Sequence, residues 1–213
     1  MICISSKYPN PNLYTSIQKI YDIQILPYTD PTVDYEIHVI DSDSEDLQYY
    51  RKVQEDFPHV HVHYIKNKNY EYGAWKYILD KYPSFDTYFC IQDSIHIHSK
   101  MDITKVNNHT AYSFHCNVGY LNFDISKKYS RECLELGELS SKLVDTYFTI
   151  AQHNSFGVSR NTLEDMFRCL IVPPETKFGS CSYERLFGIY FLEKKIHTID
   201  MAPYVNKSHG GRL

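Results

Sequence analysis

The 213-residue sequence has no Gly-x-Gly-x-x-Gly turn after its first predicted strand, no Gly-x-x-x-x-Gly-Lys loop and no Gly-x-Ser-x-Gly elbow. These absences argue against a dinucleotide-binding dehydrogenase, a P-loop nucleotidase and a serine hydrolase of the α/β type. Six cysteines are present (Cys3, Cys90, Cys116, Cys133, Cys169 and Cys181), but they form no Cys-x-x-Cys pair and show no regular spacing. Neither a cysteine zinc cluster nor a disulfide framework is indicated, so they read as reduced, buried thiols of a reducing, cytoplasmic compartment. In that setting the sequons at Asn108 and Asn206 carry no weight. No apolar run reaches the roughly 18 residues that a membrane span needs, and the first residues lack the basic, then apolar, pattern of a signal peptide. Positive charge is short as well: a net charge of −4 offers no surplus for general nucleic-acid binding.

What is present is globular. Hydrophobic residues make up 43% and charged residues 23% of the chain, which excludes a disordered or membrane class and fits one domain over residues 1–213. Tyrosine and histidine are abundant, at 20 and 11. Tyrosine suits stacking on bases and sugars, although ordinary core and surface positions account for most of it.

Residues 1–6 form a short apolar strand, and Asn10-Pro11 then opens a helix carrying Leu13, Ile17, Ile20 and Tyr21 at helical spacing. Tyr35–Ile40 is a second strand, followed by Asp41-Ser-Asp43-Ser-Glu45-Asp46 and a helix over 45–56. A third strand spans His59–Ile65, a loop Lys66–Glu71, a helix Tyr72–Leu79 and a fourth strand Tyr88–Gln92. Strands alternating with helices, and no tight hairpins, imply parallel βαβ units in a doubly wound sheet. The second half is less regular. Ala111–Cys116 and Val118–Phe123 read as paired strands, 129–150 as one or two helices, His153–Gly157 as a loop and Thr162–Leu170 as a helix. A loop runs from Pro173, Ser182 caps a helix Tyr183–Lys194, and the tail from Met201 is polar.

Asp93 stands where the buried strand Tyr88–Gln92 reaches the surface. Ligands of open α/β sheets bind just beyond the carboxyl ends of strands, which makes Asp93 the first candidate for a metal or phosphate-side contact. Asp41 ends the second strand, and in a parallel sheet the two ends share an edge. A helix start explains Ser44 to Asp46, since negative charge is favoured there, but not Asp41. His59, His61 and His63 alternate on one strand face, and His96 and His98 repeat the spacing. A His-x-His pair of this kind binds zinc, whereas a half-exposed edge strand shows the same alternation. His96 and His98 also follow Asp93 closely enough to support it.

The order of elements, with Val39-Ile-Asp41-Ser-Asp43, Asn67-Lys-Asn-Tyr-Glu-Tyr-Gly73-Ala and Phe89-Cys-Ile-Gln-Asp93-Ser, resembles the nucleotide-sugar half of GT-A-type glycosyltransferases. The likeness is clear over residues 1–100, the nucleotide-sugar-binding half, and holds in outline over 101–213, the acceptor and catalytic half. In length and character the chain is also similar to the N-terminal glycosyltransferase domain of a chlorella virus protein of capsid glycan synthesis, which would place it in the host cytoplasm. The resemblance implies a GT-A-like α/β fold, a mainly parallel twisted sheet flanked by helices, and Mn2+ or Mg2+ as cofactor. Ser5, Ser6 and Tyr8 would then approach the uracil and ribose of a UDP-sugar, Asp41 would hydrogen-bond the base, and Tyr70, Gly73 and Lys76 would line the ribose and diphosphate. Asp93 would stand in for the metal-binding acid of the family's Asp-x-Asp. The chain departs from that motif by reading Gln92-Asp93-Ser94, so the metal leans on another ligand. His209, beside Lys207 and Arg212, matches the place near the C-terminus from which the family often supplies one.

Transfer requires a base for the acceptor hydroxyl and stabilisation of the departing diphosphate. Inverting relatives place an acid at the N-terminus of an acceptor-side helix. Glu184, two residues past Ser182, fits that pattern, with Asp165 and Glu164 in reserve; a first-turn glutamate favoured by the helix dipole is the alternative explanation. His153, Asn154 and Phe156 would contact sugar or acceptor. The function expected is thus metal-dependent, inverting hexosyl transfer from a UDP-sugar, UDP-glucose-like, to a glycan or glycoprotein acceptor. A zinc hydrolase built on the His-x-His strands, or a non-catalytic sugar-nucleotide-binding module, are the alternatives.

Overall fold

A computed structural model describes residues 1–7, 11–26, 34–116 and 124–208. Its centre is a seven-stranded sheet in the order β3-β2-β1-β4-β7-β6-β8. The first four members are β1 (Ile2–Ser6), β2 (Ile37–Ser42), β3 (Val60–Ile65) and β4 (Thr87–Gln92), all parallel. β1, β2 and β4 read as largely apolar runs because both sheet faces are covered there, whereas the edge strand β3 is half-exposed. Alternate residues serve opposite cores: Ile2, Ile4, Val39, Phe89 and Ile91 face one, while Cys3, Ile40, Tyr88 and Cys90 face the other. The first core takes the apolar stripes of α1 (Pro11–Lys19) and α2 (Gln48–Asp56). The second takes α3 (Tyr70–Lys81), whose Ala74, Trp75 and Ile78 are fully buried.

The other half adds β6 (Thr110–Cys116), α4 (Asp124–Leu136), β7 (Ile150–Ser159), α5 (Arg160–Cys169), α6 (Lys177–Glu193) and β8 (His197–Asp200). β7 runs antiparallel to both β4 and β6, and β8 runs parallel to β6, so β7 alone is reversed in the main sheet. A two-stranded ribbon joins β5 (Ile95–Ile97), just after β4, to β9 (Val205–Lys207). Helix α6 lies so close to β7 that a Cβ on Gly188 would stand 2.1 Å from the Thr149 carbonyl oxygen, and glycine permits that contact.

The second half departs from the sequence reading in three places. α6 begins at Lys177, not at Tyr183: Thr176 is its cap, accepting from the Gly179 N–H at 3.1 Å. Ser182 lies inside the helix and donates back to the Phe178 carbonyl oxygen at 3.1 Å. His153–Gly157 is part of β7, where the register jumps from Ala151 opposite His115 to Phe156 opposite Ser113. The chain between bulges outward, with His153 and Asn154 both at positive φ (56° and 51°). The tail is not merely polar, since it contributes β9. The expected strand Val118–Phe123 lies outside the described residues.

Candidate functional site

The carboxyl ends of β2, β1 and β4 form one edge with Ser6 at its centre. Parallel register puts Ser6 beside Asp41, and Ser5 beside Gln92. Ser6 donates its hydroxyl to Asp93 Oδ2 at 3.1 Å, and the Asp93 N–H reaches the Ser5 carbonyl oxygen at 3.0 Å. Asp41 and Asp93 are both buried, at 3% and 1% exposure, so each carboxylate depends on directed partners rather than bulk water. Asp41 accepts from the Tyr50 hydroxyl at 2.8 Å and from the Ser44 N–H at 3.2 Å. β2 therefore extends past Ile40 through Asp41, and the tight turn after it holds Asp43 at a φ of 65°.

The tail closes over this edge. β9 pairs with β5, the Ser208 N–H donates to the Ser94 carbonyl oxygen at 2.8 Å, and Lys207 Nζ reaches Gln92 Oε1 at 2.6 Å and Ser94 Oγ at 3.0 Å. A lysine ammonium is thus held by the two residues that flank Asp93, although Lys207 lies at the other end of the chain. Tyr8, His209 and Arg212 lie outside the described residues.

Behind Gln92 sits a carboxylate that the sequence reading left in a loop. Glu71 is only 7% exposed, and it accepts from Gln92 Nε2 at 2.6 Å, Ser180 Oγ at 3.0 Å and Asn154 Nδ2 at 3.3 Å. One residue ties together α3, β4, α6 and the β7 bulge. The signal was periodicity: Glu71, Ala74, Trp75 and Ile78 share a helix face once α3 is started at Tyr70. The bulge is further held by Trp75 Nε1, which donates to the Asn154 carbonyl oxygen at 3.2 Å.

Glu184 lies one turn beyond Ser180 on α6, near the same bulge. It accepts from the His153 N–H at 3.1 Å, and His153 Nδ1 is 4.0 Å from its carboxylate. Burial raises its pKa above the ordinary value, and the Glu71 charge adds to that, whereas the His153 N–H opposes it. With α6 starting at Lys177, Glu184 is not a first-turn residue, so neither a helix-terminal base nor the dipole explains it. Its environment is set by burial.

Other predicted residues fall elsewhere. Asp165 is held by Tyr190 Oη at 2.8 Å, Lys194 Nζ at 2.9 Å and Arg168, towards the far end of α6, and Glu164 pairs with Arg160 at 3.7 Å. Six residues of α6 separate Tyr190 from Glu184, roughly 9 Å of helix, and the bonds of both reserve acids go to Tyr190, Lys194, Arg168 and Arg160 rather than to the Glu184 cluster. Phe156 is fully buried against Phe187 and Phe191, a core residue rather than an acceptor contact. Tyr70 opens α3 at a φ of 53°, with Lys177 Nζ 5.8 Å from its ring centre. Gly73 is needed because a Cβ there would come within 1.9 Å of Asn67 Oδ1. Lys76 is 42% exposed and pairs with Asp80 one turn on, which directs it along the helix surface. His96 bonds the Asn12 carbonyl oxygen at 3.3 Å and His98 bonds Ser99 Oγ at 3.1 Å. His59 packs edge-on against Tyr21, away from His61 and His63.

The donor set at the edge suits one kind of metal. Among the described residues, no group of three histidine, cysteine or acidic ligands gathers at Asp93. A hard divalent cation bound through one or two carboxylates, with its shell completed by phosphate oxygens and water, fits the residues present; an all-protein cage does not.

No family model and no curated protein matches the sequence. A solved structure does match in fold: the mannosyltransferase PcManGT from Pyrobaculum calidifontis, in complex with GDP-Man and Mn2+. The two superpose with a TM-score of 0.53 at 13% identity, over 93% of this chain and 53% of that one. The fold is accordingly α/β and GT-A-like, with a mostly parallel sheet flanked by helices. The chain spans about half the length of that neighbour.

Proposed function

We propose that the chain is a metal-dependent glycosyltransferase that moves a hexose from a nucleoside-diphosphate sugar to a glycan acceptor, with residues 1–100 binding the donor and 101–213 the acceptor. The observation that carries this reading is the edge itself: Asp93 and Asp41 flank Ser6 at adjoining strand ends, and Lys207 is brought beside Gln92 and Ser94 by the tail. Its similarity in fold to a GDP-Man- and Mn2+-bound enzyme supports it. The similarity to GT-A enzymes noted in the sequence favours UDP as the nucleotide, whereas the solved neighbour has GDP-Man. The narrower viral resemblance makes a capsid glycan the acceptor and rests on the sequence alone.

In this reading Ser5, Ser6 and Asp41 receive the nucleoside, with Tyr50 fixing the orientation of the Asp41 carboxylate. Asp93, and by the sequence resemblance His209, would hold Mn2+ or Mg2+, which when bound would offset the charge of the diphosphate. Lys207 places positive charge near the leaving group as the glycosidic bond to the diphosphate breaks, a role the sequence resemblance extends to Arg212. Glu184 takes the proton of the attacking acceptor hydroxyl. Its raised pKa brings it closer to the operating pH, where a general base is most effective. Attack from the side opposite the diphosphate inverts the anomeric centre. His153, at the bulge, faces the sugar and acceptor, while the buried Asn154 braces the bulge from inside through Glu71.

A panel of UDP- and GDP-sugars, each with Mn2+, tests this through release of free nucleoside diphosphate and product anomer by NMR. Release from one donor, with inversion, is expected. No release from any donor, with or without candidate glycans, would refute transferase activity.

A further inference from the structure

At the other end of β2, away from the strand-end acids, a second cluster meets the sheet's outer edge. Parallel register sets His38 directly beside His61, and Ile40 beside His63, so the three histidines share one face. His38 stacks on both neighbouring rings, at 4.7 Å from His61 and 5.1 Å from His63. Glu36, just before β2, puts Oε2 at 2.9 Å from His38 Nε2 and 3.8 Å from His61 Nε2, and the three ligand atoms lie within 4.8 Å of one another. Tetrahedral zinc at about 2.0–2.2 Å from each ligand needs those atoms roughly 3.4 Å apart. Two of the three separations already bracket that value.

We propose that Glu36, His38 and His61 form a zinc-class metal site, with a fourth position open to water. The set is two imidazoles and a carboxylate, a combination zinc uses. The remaining nitrogen of His38 is also held: Nδ1 lies 2.9 Å from His63 Nε2, and His63 Nδ1 is 3.4 Å from the Tyr77 hydroxyl. With metal on His38 Nε2, the proton sits on Nδ1 and is donated to His63, whose Nδ1–H is donated in turn to Tyr77. Such an outer partner fixes the tautomer and raises the basicity of a metal-binding histidine. His61 and Glu36 are 51% and 41% exposed, which gives the ion a way in. Glu36 and Asp41 are roughly 17 Å apart along the strand, so this site is separate from the proposed donor site and clamps β2 to the edge strand β3.

Zinc chloride titrated into the metal-stripped chain against a chromogenic chelator tests the site, with cobalt(II) absorption reporting geometry. Wild-type protein is expected to hold a zinc that His61→Ala and Glu36→Gln each weaken by at least the roughly 10–100-fold typical of losing an outer partner. Cobalt should give intense tetrahedral bands in wild type and lose them in both variants, while Asp93→Ala leaves them in place. Because both substituted side chains are partly exposed, circular dichroism should show unchanged folding. Zinc affinity and cobalt spectra that are the same in wild type and both variants, or no zinc binding by wild type, would overturn the site.

Discussion

Replacing Glu71 by alanine removes the one carboxylate that joins four elements behind the donor edge. The bond from Gln92, at 2.6 Å, is charge-assisted and worth roughly 1.5–3 kcal/mol. The Ser180 hydroxyl and the Asn154 amide lose the same acceptor. A buried donor left without a partner costs about 1–3 kcal/mol, less for the serine because its hydroxyl turns to another acceptor. The sum is about 4 kcal/mol, which for a chain of this size lowers Tm by roughly 8–16 °C. Glu71→Gln should recover more than half of that. The buried Asn154 Oδ1 has no hydrogen-bond partner, so the Asn154 amide has an acceptor to turn towards the new NH2 group. Urea unfolding of the two variants against wild type measures both values, and nucleotide affinity should fall in Glu71→Ala because Gln92 and Lys207 share the network. A loss below about 1 kcal/mol for Glu71→Ala, or equal losses for alanine and glutamine, would refute this view of the network.

Three further outcomes are expected. Glu184→Gln should abolish transfer and leave nucleotide affinity within about twofold; retained transfer rules it out as the base. Its raised pKa means the folded state binds the proton more tightly than the unfolded state, so ionisation costs stability as pH rises above the ordinary value of 4.5. Glu184→Gln should therefore be more stable than wild type at pH 7, with the gain shrinking as pH falls through the raised folded value towards 4.5 and gone below it, and chemical denaturation across that range tests the sign. At Asp165 burial opposes ionisation, but hydrogen bonds from Lys194, Tyr190 and Arg168 outweigh it and lower the pKa. Its contribution is present above the ordinary value of 3.8 and lost as pH falls through the folded value. Asp165→Asn should cost about 1 kcal/mol at pH 7, as partly exposed ion pairs do, and leave transfer unchanged; a large loss of turnover would return it to the site.

The first half was legible because β1, β2 and β4 are buried on both faces. Ile2-Cys-Ile, Ile37–Ile40 and Tyr88–Gln92 announce themselves as apolar runs, and each ends in a polar residue at the sheet edge. The second half was harder for local reasons. Gly179 and Pro173-Pro174 suggested a loop, yet Gly179 packs with Pro174 and the Tyr129 hydroxyl inside the first turn of α6. β9 is three residues, Val-Asn-Lys, and exists through its pairing with β5, a long-range fact that no window of sequence contains. Glu71 was missed because the helix was started two residues late. The His-x-His spacing on β3 was real, but only His61 of it gathers with Glu36 and His38; His63 hydrogen-bonds His38 from behind and His59 packs on Tyr21.

The most direct measurement is calorimetric titration of UDP and GDP, each with Mn2+, into wild-type protein and Asp93→Ala. A nucleotide that binds wild type in a Mn2+-dependent way, and loses that dependence in Asp93→Ala, is the predicted result. Binding of neither nucleotide, or an equal Mn2+ dependence in the variant, would contradict the placement of the donor site at the ends of β1, β2 and β4.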